Sequence, residues 1–344
     1  MQAADYINSM KKQHSLEEIR GVIEKFKPIK TLIIGEAILD EYYFTVPKGR
    51  AIKDPILSVD YVYHEVYCGG ALAIANHIIN FIDDVTLLSL IGDRDDKMEL
   101  ISKGLNPKIK AKFFVKDNSP TITKTRYLNQ LRNEKLFKVE FMNDFPIGEK
   151  LEKEIIQFLE SELHKFDLVV VGDFGHGFIS QNIVDVLEKK AKYLAVNVQC
   201  NSANLGFNLV TKYSSLSYAT MDLQELQFTI GDRFSDVPTL MKKFKDKTKF
   251  GRFLVTMGHD GAMYSCNSSI YSSPAFIKRP VDTVGAGDAV FAITSLLAYT
   301  NNDHMIPFIA NCVGGIAVSY MGNKESITKN KLINFIKELY DGVE

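Results

Sequence analysis

The sequence predicts an α/β fold, a parallel sheet with helices on both faces, together with a small extra β-sheet. Three observations carry this. Short apolar runs ending in Gly or a polar residue recur along the chain, and amphipathic stretches at helical spacing separate them. Two Tyr-, Phe-, Val- and Thr-rich segments break that rhythm. Continuous apolar runs suit strands covered on both sides, and strands alternating with helices close into a layered α/β/α sandwich.

Residues 1–30 read as a helical extension. Ser15 and Glu18 form a capping box, and Leu16, Ile19, Ile23 and Phe26 follow at helical spacing, a face that would dock on the body. One domain over 31–344 then begins with TLIIG (31–35) after Pro28. The strand-like runs VTLLSLIG (85–92), LVVVG (168–172), YLAVNV (193–198), SYATM (217–221) and FLVTM (253–257) continue it. Helical stretches are expected at 149–164, 181–191 and 236–246, and beyond 282 at 287–300, 305–320 and 328–340. Segments 42–67 and 111–142 alternate partially, as in Tyr61, Tyr63, Glu65 and Tyr67 against Val62, His64 and Val66. They are expected to form a small sheet outside the main layers. A lid over a site, a homodimer surface and plain hairpins all fit that pattern.

The 344 residues are 46% hydrophobic, enough for a large core, and the formal net charge of −1 offers no basic field for nucleic acid or anionic lipid. Cys68, Cys200, Cys266 and Cys312 lie far apart without CxxC spacing, which argues against a disulfide framework or zinc site and for a reducing compartment. The N-terminal stretch lacks an apolar signal core, and no run of about 18 apolar residues occurs. A soluble cytoplasmic protein with no nucleic-acid or membrane partner is expected.

The strongest chemical signal is DTVGAGDAVF (282–291). Gly285, Ala286 and Gly287 are small, and a helical pattern follows at once. Backbone N–H groups at such a helix start can approach an anion, and the helix dipole favours negative charge there. Asp288, inside that first turn, could take a proton from an attacking hydroxyl. In isolation the stretch would equally fit a Gly-rich turn with a favourable helix acid. A dinucleotide fold would need a Gly-rich turn after the first strand, and GEAILD supplies only Gly35.

Other segments join this one. GEAILDEYY (35–43), Gly69-Gly70 before a helix, MDLQEL (221–226) and TMGHDGA (256–262) fall in order with DTVGAGD across roughly residues 30–335. The combination resembles the PfkB/ribokinase family of carbohydrate kinases. GEAILDEYYF, TITKTRYLNQLRNEKLFKVEF (121–141) and GDFGHGFIS (172–180) look most like its heptose-7-phosphate kinase group, often fused to a nucleotidyltransferase. The resemblance implies a ribokinase-like three-layer α/β/α fold with a β lid, and transfer of the γ-phosphate of ATP, with Mg²⁺, to a sugar or sugar phosphate. A fused or separate nucleotidyltransferase is the implied partner.

By resemblance, Asp288 is the base, and Gly285, Ala286 and Gly287 form the anion hole. Asp40 binds the sugar and Gly69 and Gly70 close the backbone on it; the family's Asn position holds Ala73, so that polar contact is missing or moved to Asn76 or His77 one helical turn on. Lys124 and Arg126 share one face of a strand and suit a phosphate already on the substrate, or an exposed edge blunted by charge. Asp173, Gly175 and Gly177 follow another strand, with His176 where the group has Lys. Asp222 and Glu225 stand at the Mg²⁺ motif, which also fits an ordinary acidic first turn. Thr256, Gly258, Gly261, Thr283 and Asn311 are expected on the nucleotide side. Asp282, grouped with them, would touch a ligand or cap its turn. The polar loop NVQCNSANLGFN (197–208) is expected to face the site. Kinases of a nucleoside or vitamin alcohol, and a catalytically weak sugar-phosphate binder, remain as other readings.

Overall fold

The computed structural model describes residues 3–342 apart from Ser268 and Lys278. Helices α1 (Ala3–Gln13) and α2 (Leu16–Glu24) precede the body. Ser15 caps α2 by accepting the Glu18 N–H at 3.1 Å; Ile19, Ile23 and Phe26 are buried in the core as the spacing predicts, joined by Val22, while Leu16 is partly buried against it.

One residue separates β1 (Lys30–Gly35) from β2 (Ala37–Arg50), and β3 (Leu57–Gly70) passes without a break into α3 (Ala71–Ile78). Then follow β4 (Asp84–Gly92), α4 (Met98–Gly104), β5 (Lys110–Lys116), β6 (Ile122–Asn129), β7 (Glu134–Phe141) and α5 (Glu149–Glu162). The next elements are β8 (Leu168–Asp173), α6 (Gln181–Lys190), β9 (Leu194–Val198), β10 (Tyr218–Asp222), α7 (Leu223–Ile230) and α8 (Val237–Thr248). The chain finishes with β11 (Arg252–Thr256), β12 (Ala262–Cys266), β13 (Ser269–Ser273), α9 (Ala286–Tyr299), α10 (Ile306–Ala317) and α11 (Lys329–Asp341).

The main sheet has nine strands in the order β13-β12-β11-β10-β9-β8-β1-β4-β5, parallel from β11 to β5 with an antiparallel hairpin, β12–β13, at one edge. Two cores flank it. Helices α1–α4 and α9–α11 cover one face, and α5–α8 cover the other. Leu32, Ile33 and Ile34 of β1 are therefore buried on both sides of the sheet, each contributing about 1.5–3 kcal/mol by burial. From β1 the chain order runs outward in opposite directions, to β4 on one side and to β8 on the other. Ligands of open α/β sheets sit at the carboxyl ends of strands beside such a reversal. Here those ends deliver Glu36, Asp173, Gln199, Asp222 and Thr256.

A second sheet, β3-β2-β6-β7, forms the lid. Segment 111–116, expected to belong to it, instead forms β5 and extends the main sheet beside β4. Its Lys-rich alternation is that of an edge strand, which is why it reads like the lid strands. Register defines two lid faces. Asp40, Lys124 and Glu140 lie opposite one another, as do Tyr42, Arg126 and Lys138, and these side chains share the face turned to the body. The other face carries the cross-strand row His64, Tyr43, Tyr127 and Phe137, with ring centroids 4.6–5.1 Å apart. Tyr61, Phe137, Val139 and Phe141 are exposed there.

Candidate active site

The turn between Thr283 and α9 carries the most distinctive geometry. Gly285 adopts φ 81°, and a Cβ there would overlap the side-chain amide of Asn323, so only glycine fits. With that residue left-handed, α9 starts at Ala286, whose N–H is given to the Thr283 carbonyl at 3.3 Å, while the Gly287 N–H beyond it is available to an anion. Asp288 sits in the first helical turn, 7% exposed. Gln199, one residue past β9, donates to Asp288 Oδ1 at 2.7 Å and to Asn197 Oδ1 at 2.9 Å. Burial pushes the Asp288 carboxyl up to about 7; the Gln199 bond lowers it, the Asp40 charge raises it, and Lys124 lowers it.

A cavity of about 210 Å³ opens beside this turn, lined by Asn197, Gln199, Cys200, Thr220, Asp222, Glu225, Thr256, Thr283, Gly285, Gly287 and Asp288. It adjoins a second of about 430 Å³, with which it shares Asp222, Thr256, Thr283, Gly287 and Val290. The second holds Gly258, Gly261 and Asn311 among apolar walls that include Ala262, Phe276, Ile277, Pro280 and Val318. One cleft thus runs from a flat apolar compartment, past glycine-rich backbone, to a buried carboxyl group. That sequence of surfaces suits a nucleotide whose phosphates end at Asp288. The polar segment 197–208 contributes Asn197, Gln199 and Cys200 to it, as expected of its composition.

Asp222 and Glu225 face the same cavity as a capping box. Asp222 Oδ1 accepts the Glu225 N–H at 2.7 Å, Glu225 Oε2 accepts the Asp222 N–H at 2.8 Å, and Glu225 Oε1 accepts the Cys200 N–H at 2.9 Å. The acidic-first-turn reading and the site reading therefore both hold for this pair. Burial, then the Asp222 charge, pushes Glu225 up to about 8. Carboxylates gathered at a cavity without a facing cation fit an Mg²⁺ that arrives on ATP phosphates and keeps its waters. Among the described residues no cluster of three or more His, Cys, Asp or Glu could hold a metal directly.

On the lid, Arg126 Nη1 meets Asp40 Oδ1 at 2.5 Å, with both side chains nearly buried. The Asp40 carboxylate lies over Gly69, where any Cβ would collide with it. Lys124 stands 3.3 Å from His176 Nε2 and 3.9 Å from Glu140, and burial lowers its pKa. His176 is a buried link in this arrangement, with Nδ1 2.7 Å from Asp144. A lysine ammonium only donates, so Nε2 accepts its hydrogen bond and Nδ1–H donates to Asp144. The edge-blunting reading of Lys124 and Arg126 fails, because both project from the covered face.

Three residues expected at ligands are committed elsewhere. Asp173 is fully buried and bound by Tyr213 Oη at 3.0 Å, Asn208 Nδ2 at 3.2 Å and Lys212, leaving no open edge for substrate. Asn76 donates to the Gly104 carbonyl at 2.8 Å and accepts the Asn106 N–H at 2.8 Å, pinning a loop behind α3. Asp282 accepts from Tyr42, Lys135, Val284 and Gly322 and lines neither cavity. The sequence singles out the loop holding Gln199 but not the role of that amide, and it does not single out Thr220 or Glu36. The last accepts the Phe174 and His176 N–H groups at 3.2 and 3.0 Å, and burial raises its pKa. An acid directly after the first strand was its only signal.

Comparison with known proteins agrees with this geometry. The model of the pfkB family carbohydrate kinases matches residues 32–330. The chain belongs to the pfkB family. As a pfkB carbohydrate kinase it is a phosphotransferase with an alcohol acceptor. Relatives include "Bifunctional protein HldE" of Pelobacter propionicus, 21% identical over 93% of this chain and 66% of the relative. HldE of Haemophilus influenzae (strain PittEE) is 26% identical over 87% and 62%. The chain thus spans about two thirds of the length of these relatives. The fold is ribokinase-like: phosphofructokinase-2 from Escherichia coli in complex with potassium superposes with a TM-score of 0.71 at 14% identity, covering 90% of this chain and 99% of that one. Ribokinase from Thermotoga maritima does so with a TM-score of 0.68 at 16% identity, covering 90% and 99%.

Proposed function

We propose that this pfkB kinase transfers the γ-phosphate of ATP to a hydroxyl of a sugar phosphate resembling a heptose 7-phosphate, in the cytoplasm, as a step toward a nucleotide-activated sugar. The observation that carries the reading is Asp288, a buried carboxyl group in the first turn of a helix whose glycine-lined start meets two joined cavities. In this reading Asp288 accepts the proton of the acceptor hydroxyl, while the N–H groups of Gly285 and Gly287 face the oxygens of the moving phosphoryl group; that of Ala286, expected with them, is given to the Thr283 carbonyl. The base moiety lies against Gly258, Gly261 and Asn311, with Thr256 and Thr283 nearer the phosphates. Mg²⁺ offsets phosphate charge, with Glu225 and Asp222 reaching it through water.

Asp40, beside Gly69 and Gly70, orients sugar hydroxyls in this scheme, and Lys124 with Arg126 supplies positive charge for a phosphate already on the acceptor. The likeness of segments 35–44 and 121–141 to heptose-7-phosphate kinases supports that acceptor class, and the length of the HldE relatives supports a nucleotidyltransferase as fused or separate partner. An ADP-release panel tests the reading: sugar 7-, 6- and 1-phosphates, free sugars and nucleosides with ATP and Mg²⁺. Phosphorylated sugars are expected to turn over fastest, and Lys124→Ala to erase their advantage. Equal turnover of free sugars or nucleosides would reject the acceptor class, and melting shifts without ADP release would favour a binding protein.

The exposed row Tyr61, Phe137, Val139 and Phe141 supports a homodimer joined through the outer lid face. Light scattering should then give twice the chain mass, falling to one chain in Phe137→Glu. A single-chain mass for the unaltered protein would discard the dimer.

A further inference from the structure

We infer that Lys135 and Tyr42 are positioning residues that make the anion-binding turn depend on the closed lid. The inference rests on the kinase reading above and concerns how its phosphoryl site is assembled.

Asp282 opens the turn, and its side chain is 1% exposed. Two of its four partners come from the body: the Val284 N–H at 3.2 Å and the Gly322 N–H at 3.1 Å. The other two come from the lid: Lys135 Nζ at 2.5 Å and the Tyr42 hydroxyl at 3.0 Å. Burial alone would raise the pKa of this carboxyl, yet it is lowered, the Lys135 hydrogen bond being the largest opposing influence. An isolated surface ion pair between exposed side chains would matter little. This one completes the shell of a carboxylate that has no water to fall back on.

The bond from Asp282 to the Val284 N–H fixes the backbone one residue before Gly285, whose left-handed conformation aims the following N–H groups. The lid also holds the opposite wall. The Tyr42 ring lies so close over Gly322 that a Cβ there would strike it, and Asn323, the next residue, abuts Gly285. Lys324 meets Glu65 of β3 at 3.0 Å, a second tie between lid and body along the same segment. With the lid lifted, Asp282 would keep only its two backbone donors, and the anchor that spaces Val284 and Gly322 would lose its own support from Lys135 and Tyr42. The closed lid therefore braces the turn that receives the phosphoryl group.

Hydrogen exchange on the full chain tests this without any acceptor, so its result stands whether or not the sugar-phosphate reading survives. In Lys135→Met and in Tyr42→Phe, amides of 283–287 are expected to exchange roughly 10-fold faster, as loss of one partner of a buried charge implies. Strands β1 and β8 should be unchanged, and Lys135→Arg should restore protection. Steady-state kinetics with the best acceptor of the panel should show Lys135→Met lowering kcat about 10-fold with the KM for ATP little altered, and Lys135→Arg recovering it. Unchanged exchange at 283–287, with only lid peptides 122–141 loosened, would overturn the inference, as would a kcat equal to that of the unaltered chain.

Discussion

Asp288→Asn is expected to lower turnover by about 10²- to 10⁴-fold, the usual worth of a positioned general base, while the protein becomes more heat-stable at alkaline pH. Burial raises this carboxyl from 3.8 to about 7, so the folded chain resists ionising a group that the unfolded chain ionises freely. The sign follows from linkage. The stability associated with its protonated form is intact below about pH 4 and declines as pH rises toward 7. Asparagine has no charge to bury, so the variant should melt several degrees above the unaltered chain at pH 8 and level with it near pH 4. The kcat/KM for the acceptor should fall on the acid side of about pH 7, where the base is protonated in the free enzyme. A variant with full turnover would remove Asp288 from the chemistry. One with no melting advantage at pH 8 would mean that the carboxylate is better solvated than its burial implies.

The second large effect is at Arg126. Its ion pair with Asp40, 2.5 Å long and nearly sealed from water, holds two lid strands together on the face turned to the body. The guanidinium also lies 5.4 Å from the centre of the Tyr42 ring. Arg126→Ala would leave the Asp40 carboxylate pressed over Gly69 without its ion-pair partner, with only Lys124 opposite it as counter-charge. Removing one partner of a buried pair costs about 3–5 kcal/mol, so the melting temperature should drop by roughly 4–7 °C and the acceptor KM should rise steeply. Replacing both residues, Arg126→Met with Asp40→Asn, should recover much of the stability and none of the acceptor binding. That contrast separates the structural from the binding role. If the single variant melted with the unaltered chain, the pair would be solvated and its proposed part in orienting the acceptor would fail.

Sequence reading did well where one interaction dominates. The buried strands β1, β4, β8, β9, β10 and β11 are plain as apolar runs, because side chains covered on both faces must all be apolar. It did less well where the partner is distant in the chain. The hairpin β12–β13 is short and half polar, and β5 alternates charge as lid strands do. Within the site, the turn around Asp288 was legible because its glycines answer a local backbone demand. Asp173 and Asp282 sit at strand ends and turns where ligands gather, yet each is consumed mainly by partners 35 or more residues away. Asn76 is likewise consumed by a loop some 30 residues on. Nothing in the local pattern distinguishes such an anchor from a ligand contact. Gln199 shows the reverse case, a commonplace amide made important by a bond to a carboxyl group 89 residues ahead.

The joints of the lid impose a limit of their own. Only Glu36 lies between β1 and β2, and nothing lies between β3 and α3. Glu36 is clamped through its carboxylate to the backbone of 174 and 176 and through its carbonyl to Ala71. A flap on slack tethers could swing wide for bulky guests. In this one the β2–β3 half is held by two stiff knuckles, so the rotation available at Glu36 and Gly70 limits how far that half can open for a large molecule. Widening acceptor range by engineering would begin at those two pivots.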